Sequence, residues 1–121
     1  MRKIYLLLLA MCAGSLVSAQ CSDLFFSEYI EGSSSNKALE VYNPTSAPVD
    51  LTDYVLYRYN NGATSPSDSL FPQGTLADGE VFVIGNPGSD SPIIAESDTT
   101  HSLTFYNGDD AIAMVNRISG D

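Results

Sequence analysis

Basic residues are scarce in this 121-residue sequence, which has five lysines and arginines against 15 aspartates and glutamates. Arg2 and Lys3 are two of the five and lie in a predicted leader. The rest of the chain therefore carries three basic residues against 15 acidic ones, a net charge of −12. Binding to nucleic acid depends on Lys and Arg that displace counterions from phosphates, so direct nucleic-acid binding is not expected. An acidic surface favours solubility outside the cell.

Cysteine and histidine are also nearly absent. Cys12 lies in the leader, so only Cys21 remains beyond it, and the domain must be held by its apolar core without an internal disulfide. His101 is the only histidine, and one His with one distant Cys does not make a zinc site. Asp98 and Ser102 lie near His101, but neighbours along an extended chain diverge and no GxSxG turn is present. A Ser-His-Asp triad is therefore not predicted.

The first 19 residues have the layout of a secretory signal peptide. Arg2 and Lys3 precede the apolar run IYLLLLAMCAGSLV, and Val17-Ser18-Ala19 supplies small residues for cleavage after Ala19. The apolar run is too short for a membrane span, although an uncleaved N-terminal anchor is the alternative. The sequence therefore predicts a secreted protein, extracellular or at the cell surface, with no membrane attachment after cleavage. Its mature chain would begin at Gln20.

No helical periodicity follows the leader. Apolar residues instead fall in short runs rich in Val, Ile, Phe and Tyr, which is typical of strands. The predicted strands are LFFSEYIE (24–31), ALEVYN (38–43), DYVLYRY (53–59), EVFVIGN (80–86), SLTFY (102–106) and AIAMVNR (111–117), with 92–95 as a further short candidate. Turn formers separate them, and Asn107-Gly108 is the best hairpin candidate. The spacing predicts an all-β sandwich or barrel.

Five motifs follow one another along the chain: SEYIEG, the polar SSSNK loop, ALEVYNPTSAPVDLTDY, GTLADGEVFVIGN and LTFYNGDDAIAMV. Together, over about residues 23–115, they resemble the lamin tail domain family in its bacterial secreted form. The resemblance implies an immunoglobulin-like β-sandwich occupying residues 20–121. The family usually continues with another strand after AIAMV, and this sequence stops at the turn-like Ser119-Gly120-Asp121. We therefore expect a C-terminally truncated domain that lacks its last strand or strands.

The resemblance also implies a function. It predicts a non-catalytic binding or scaffolding module, the N-terminal accessory domain of a larger extracellular protein, whose partner is a protein, a surface or a matrix polymer. The alternative is the N-terminal part of a secreted metal-dependent nuclease or phosphoesterase. Its cluster of Asp, Glu, His and Asn would then lie beyond residue 121. Neither hypothesis places a catalytic site or a resident cofactor in this segment.

Glu28 and Glu40 stand out inside predicted strands. Simple alternation puts Glu28 on one face with Leu24, Phe26 and Ile30, and Glu40 on one face with Ala38 and Tyr42. A carboxylate on an apolar face needs polar partners, so we expect both to bond to backbone or polar groups and fix loop geometry. Asn43, Asn107 and Gly108 have the same structural role in this prediction. A glycosidase-like acid/base pair is the alternative, disfavoured because no cleft is evident.

Calcium is the one cofactor that the sequence suggests, and only weakly. Asp98, Asp109 and Asp110 are the candidate ligands, with Asp90 and Glu96 nearby in sequence, since calcium prefers several carboxylate and carbonyl oxygens. No EF-hand spacing is present. The use of Asn and Asp in turns is the commoner explanation for this region.

Overall fold

The computed structural model describes residues 21–120, so the predicted leader and its cleavage site lie outside the described residues. Its strands are β1 (Phe25–Glu31), β2 (Lys37–Tyr42), β3 (Val49–Asp50), β4 (Tyr54–Tyr59), β5 (Asp68–Leu70), β6 (Thr75–Leu76), β7 (Val81–Gly85), β8 (Thr99–Thr100) and β9 (Ala111–Asn116). A short helix, α1 (Ser91–Ala95), and two 3-10 helices, Leu51–Asp53 and Ser102–Thr104, connect them. Five predicted strands correspond to β1, β2, β4, β7 and β9.

The strands form two main sheets. One has the order β1-β2-β7-β8, in which β1, β2 and β7 are antiparallel and β8 joins β7 in parallel. The other is the antiparallel sheet β5-β4-β9, and β3 pairs with β6 in a small two-stranded sheet. The prediction of an all-β, immunoglobulin-like β-sandwich is confirmed.

The core lies between the inner faces of the two main sheets. Alternate residues point inward, as the pleat requires, so Leu39 and Val41 of β2 and Leu56 of β4 are almost fully buried. The rest of the cluster comes from both sheets and the connections, and its buried members include Leu24, Leu51, Tyr54, Leu76, Ile84, Leu103 and Tyr106. Side chains of the opposite parity on β2 and β7 consequently face outward.

A β-bulge in β1 breaks this alternation. Phe26 lies opposite Val41 and Glu28 lies opposite Glu40, so Ser27 is an extra residue in β1. The prediction that Glu28 and Ile30 share a face with Phe26 is therefore wrong, because a bulge re-aims the side chains that follow it. Both residues join the outer face of the sheet.

Tyr106, which lies between the second 3-10 helix and β9, packs against the first two strands. Its side chain is fully buried, and its hydroxyl lies 2.7 Å from the carbonyl oxygen of Ile30 and 2.8 Å from that of Ala38, to which it donates. Its own carbonyl accepts a hydrogen bond from the Lys37 ammonium. The ring also stacks on Tyr29, with centroids 4.3 Å apart. One aromatic residue thus contacts β1 and β2 through ring, hydroxyl and backbone.

The predicted strand at 102–106 is wrong. Ser102–Thr104 is a 3-10 helix, and His101 caps it because its Nδ1 accepts a 3.0 Å hydrogen bond from the Leu103 N–H. The hairpin predicted at Asn107-Gly108 therefore does not form, since a helix rather than a strand precedes it. Asn107-Gly108 is still a turn, closed by a 3.1 Å bond from the Asp110 N–H to the Asn107 carbonyl.

The candidate strand at 92–95 is also wrong, because this stretch belongs to α1. Pro92 sits in the first turn, where a helix needs no N–H donor and the fixed φ of proline is suitable. Asn36 holds the start of α1: its amide donates to the Asp90 carboxylate and its side-chain oxygen accepts the Asp90 N–H, both at 2.8 Å. Within residues 21–120, no helix has the length and apolar character needed to span a bilayer.

Candidate functional site

An open groove of about 560 Å³ lies on the outer face of the β1-β2-β7 sheet, beside α1. Its apolar lining consists of Ile30, Ala38, Val81, Val83, Pro92 and Ile93. Its other lining residues are all acidic: Glu28, Glu40, Glu96 and Asp98. We call this surface the acidic groove. The expectation that the fold offers no cleft near Glu28 and Glu40 is therefore wrong, and the bulge in β1 is the reason that Glu28 reaches it.

Glu28 and Glu40 are direct cross-strand neighbours in the acidic groove. The Ser27 hydroxyl donates a 2.7 Å hydrogen bond to Oε1 of Glu40. The exposed Glu28 carboxylate makes no hydrogen bond or ion pair within residues 21–120. The expected polar contact is present for Glu40. The expectation is wrong for Glu28, whose side chain points to solvent and does not fix a loop.

The other side of the groove is held by backbone bonds. Asp98 bridges to β7, because its Oδ2 accepts the Val83 N–H at 2.7 Å and its own N–H donates to the Val83 carbonyl at 2.9 Å. The N–H of Glu96 donates to the Pro92 carbonyl at the end of α1. The Asp98 bonds to β7, after α1, and the two hydrogen bonds between Asn36 and Asp90, before it, hold α1 beside the sheet.

No basic side chain lines the acidic groove in the part of the chain that the structure describes. The basic residues of that part are engaged elsewhere: Lys37 with Glu31 at 3.5 Å, Arg58 with Asp110 at 3.7 Å, and Arg117 with the Thr52 carbonyl at 3.1 Å. The groove therefore concentrates negative charge that no basic residue of 21–120 neutralises.

The structure does not bring the calcium candidates into one site. Asp98 lies in the acidic groove, Asp109 is exposed in a turn, and the side chain of Asp110 is 3% exposed beside Arg58. Asp110 accepts hydrogen bonds from the N–H groups of Asn61, at 2.8 Å, and Asn107, at 3.2 Å. Across residues 21–120, no three His, Cys, Asp or Glu side chains are grouped so as to hold a metal ion.

Asn43 has more contacts than its place before a proline suggests. The side chain is fully buried, and its amide donates to the carbonyls of Ala47 at 2.8 Å, Leu76 at 2.9 Å and Ala77 at 3.1 Å. Its Oδ1 accepts the N–H and the hydroxyl of Thr45, at 3.0 and 2.7 Å. Asn43 thus joins the end of β2 to β6. Asn107 and Gly108 are exposed in their turn, where Gly108 has a φ of +56°.

Asp68 is a charged residue that sequence reasoning missed. It accepts a 2.6 Å hydrogen bond from the Ser102 hydroxyl and a 2.8 Å bond from the Ser69 N–H. Burial alone raises the pKa of Asp68, but these bonds and the charges of His101 and Arg58 outweigh it and hold the pKa below its ordinary value of 3.8. The lowered pKa means that the folded state favours the carboxylate.

We expect the Asp68 carboxylate to make folding sensitive to acid. Because its pKa is lower in the folded state, its stabilising contribution is present above about pH 4 and is lost as the pH falls through the folded value. Replacing Asp68 with asparagine should therefore flatten the dependence of unfolding free energy on pH below about pH 4. Urea unfolding followed by circular dichroism at a series of pH values measures this. An Asp68→Asn curve parallel to that of the wild type would contradict the assignment.

The family model described as Lamin Tail Domain matches residues 17–120. No curated protein matches the chain.

Proposed function

This chain belongs to the lamin tail domain family, and from that premise we propose that it is a secreted, non-catalytic binding and scaffolding module, the N-terminal accessory domain of a larger extracellular protein. The observation that supports a binding role most directly is the acidic groove, an open surface with an apolar lining and a carboxylate rim. A surface of this kind suits recognition of a partner more than chemistry on a small substrate.

Two observations support the non-catalytic part of the proposal. The Nδ1 atom of His101 accepts the Leu103 N–H, so the histidine acts as a helix cap. Glu28 is exposed on an open face and has no hydrogen-bond partner among residues 21–120, whereas a general acid must be held within hydrogen-bond reach of its substrate. The glycosidase hypothesis for Glu28 and Glu40 therefore gains no support from the groove that they share.

Secretion is supported by the composition of the leader and by the excess of acidic residues in the rest of the chain. The alternative for the whole protein is a secreted nuclease or phosphoesterase with its catalytic residues beyond residue 121. In that case this domain keeps the same accessory role beside a metal-dependent active site.

The intact mass of the native protein tests the proposal. We expect an antibody raised against residues 21–120 to detect, in the culture medium, a protein far larger than the 13.0 kDa of this chain. A mass below 13.0 kDa that matches cleavage after Ala19 would instead mean a stand-alone binding module and would remove the nuclease alternative. Antigen confined to the cell interior would contradict secretion.

A further inference from the structure

We propose that the acidic groove binds an extended protein segment that presents both basic and apolar side chains on one face. The inference rests on the proposed binding function and deepens it by naming the surface and the chemistry of the partner. The fold places two like charges, those of Glu28 and Glu40, next to each other.

Glu28 and Glu40 face each other directly across β1 and β2. Like charges at directly opposed positions of an antiparallel pair are destabilising. Regular alternation would direct Glu28 to the side of Phe26, and it is the extra residue Ser27 that turns Glu28 toward Glu40. The bulge therefore creates a position where an added positive charge lowers the energy of the folded protein.

No basic residue of the described part of the chain supplies that positive charge. Lys37, Arg58 and Arg117 are engaged with other groups, and none of them lines the groove in the described part of the chain. A metal ion is a poor alternative, because no three acidic, His or Cys side chains of residues 21–120 are grouped to hold one. The ammonium of lysine or the guanidinium of arginine needs no such cage and suits paired carboxylates.

The apolar lining of the groove favours a second kind of contact, with an apolar side chain of the partner. Ile30 is 40% exposed and Val81 is 39% exposed, and both lie among the carboxylates. A volume of about 560 Å³ is large enough for a few side chains, within the usual range of roughly 300–1,000 Å³ for ligand sites. The occupant is therefore a segment with basic and apolar side chains together, because an isolated cation leaves the apolar lining uncovered.

The outer strand β1 favours an extended conformation for that segment. Among residues 21–120, β1 pairs only with β2, so its other edge presents backbone donors and acceptors. An added strand uses such groups for main-chain hydrogen bonds, and its alternate side chains give specificity. A strand placed there directs every second side chain to the face that carries Glu28 and Ile30.

A labelled peptide provides the test. The probe is Lys-Ser-Val-Ser-Lys-Ser-Val with an N-terminal fluorophore, added to the full chain and followed by fluorescence anisotropy. We expect saturable binding that weakens with added salt. Two matched peptides serve as controls: one with Glu in place of Lys and one with Ser in place of Val. Equal binding of either control and the probe would overturn the proposal.

Paired protein variants separate the groove from the overall negative charge. The first double variant, Glu28→Gln with Glu96→Gln, removes two carboxylates of the groove. The second, Asp53→Asn with Asp109→Asn, removes two carboxylates outside it. These four side chains were chosen because none of them makes a hydrogen bond within residues 21–120. We expect the dissociation constant to rise about tenfold in the groove pair and less than about twofold in the other pair. Equal losses would mean nonspecific attraction and would overturn the site.

The same samples test whether a second copy of this chain occupies the groove. If sedimentation shows a dimer that the groove variants abolish, the groove is a self-association surface and the peptide proposal is wrong. Failure of the probe leaves the mass measurement unaffected, because that experiment concerns secretion and accessory status. The two proposals can therefore fail separately.

Discussion

Replacing Asn43 with alanine is expected to lower the free energy of unfolding by about 3 kcal/mol or more. The side chain is fully buried and makes hydrogen bonds to three carbonyls and to the backbone and hydroxyl of Thr45. Alanine leaves these groups without their partner in a site from which water is excluded, and an unsatisfied buried group costs about 1–3 kcal/mol. Urea denaturation of the full chain, fitted as a two-state transition, measures the loss.

Asn43→Asp is the sharper comparison. Aspartate has nearly the same shape and keeps the oxygen that accepts from Thr45, but it replaces the donor that faces the carbonyls of Leu76 and Ala77 with a second oxygen. We therefore expect Asn43→Asp to destabilise at least as much as Asn43→Ala at neutral pH. Near wild-type stability in the aspartate variant would show that the donor contacts contribute little and that shape alone matters.

Replacing Asp110 with alanine is expected to lower the free energy of unfolding by about 3 kcal/mol. The Asp110 side chain is 3% exposed, lies 3.7 Å from the 11% exposed Arg58 guanidinium, and accepts the N–H groups of Asn61 and Asn107. Its removal leaves a buried cation short of countercharge and two N–H donors without their acceptor. The loss should be the same with excess calcium and with EDTA, because the protein's own groups are the partners.

The neighbouring Asp109 is the matched control. It is exposed in the same turn, so Asp109→Asn should change the stability by less than about 0.5 kcal/mol. Thermal unfolding with and without calcium separates the two explanations for this acidic pair. If calcium stabilises the wild-type protein against thermal unfolding but does not stabilise Asp110→Ala, the calcium hypothesis is restored and the structural role of Asp110 is refuted.

The regular strands could be predicted because their signal is local. Short apolar runs rich in Val, Ile, Phe and Tyr indicated β1, β2, β4, β7 and β9. The turn that follows β4 contains Asn61-Gly62, and both residues have positive φ values, +48° and +71°, which Asn and Gly tolerate. The short strands β3, β5, β6 and β8 have only two or three residues each. So few residues carry no readable period, and tertiary contacts decide whether they pair.

The acidic groove could not be predicted, because two nonlocal events create it. The bulge at Ser27 changes which face Glu28 occupies, and no local motif indicated an extra residue there. The position of α1 beside the groove depends on the hydrogen bonds between Asn36 and Asp90, which are 54 residues apart. The sequence stretch Ser91–Ala95, with its two isoleucines, has strand-like composition, and the proline in the first turn was the only sign of a helix.

Tyr106 has a consequence for the order in which this chain acquires its structure. Its hydroxyl contacts the carbonyls of Ile30 and Ala38 across 76 and 68 residues of sequence. The first hairpin can therefore reach its final packing only after most of the domain has been synthesised, and contacts of such long separation make folding slow. Until Tyr106 has been synthesised, β1 and β2 lack the hydroxyl and the ring that pack against them in the folded domain.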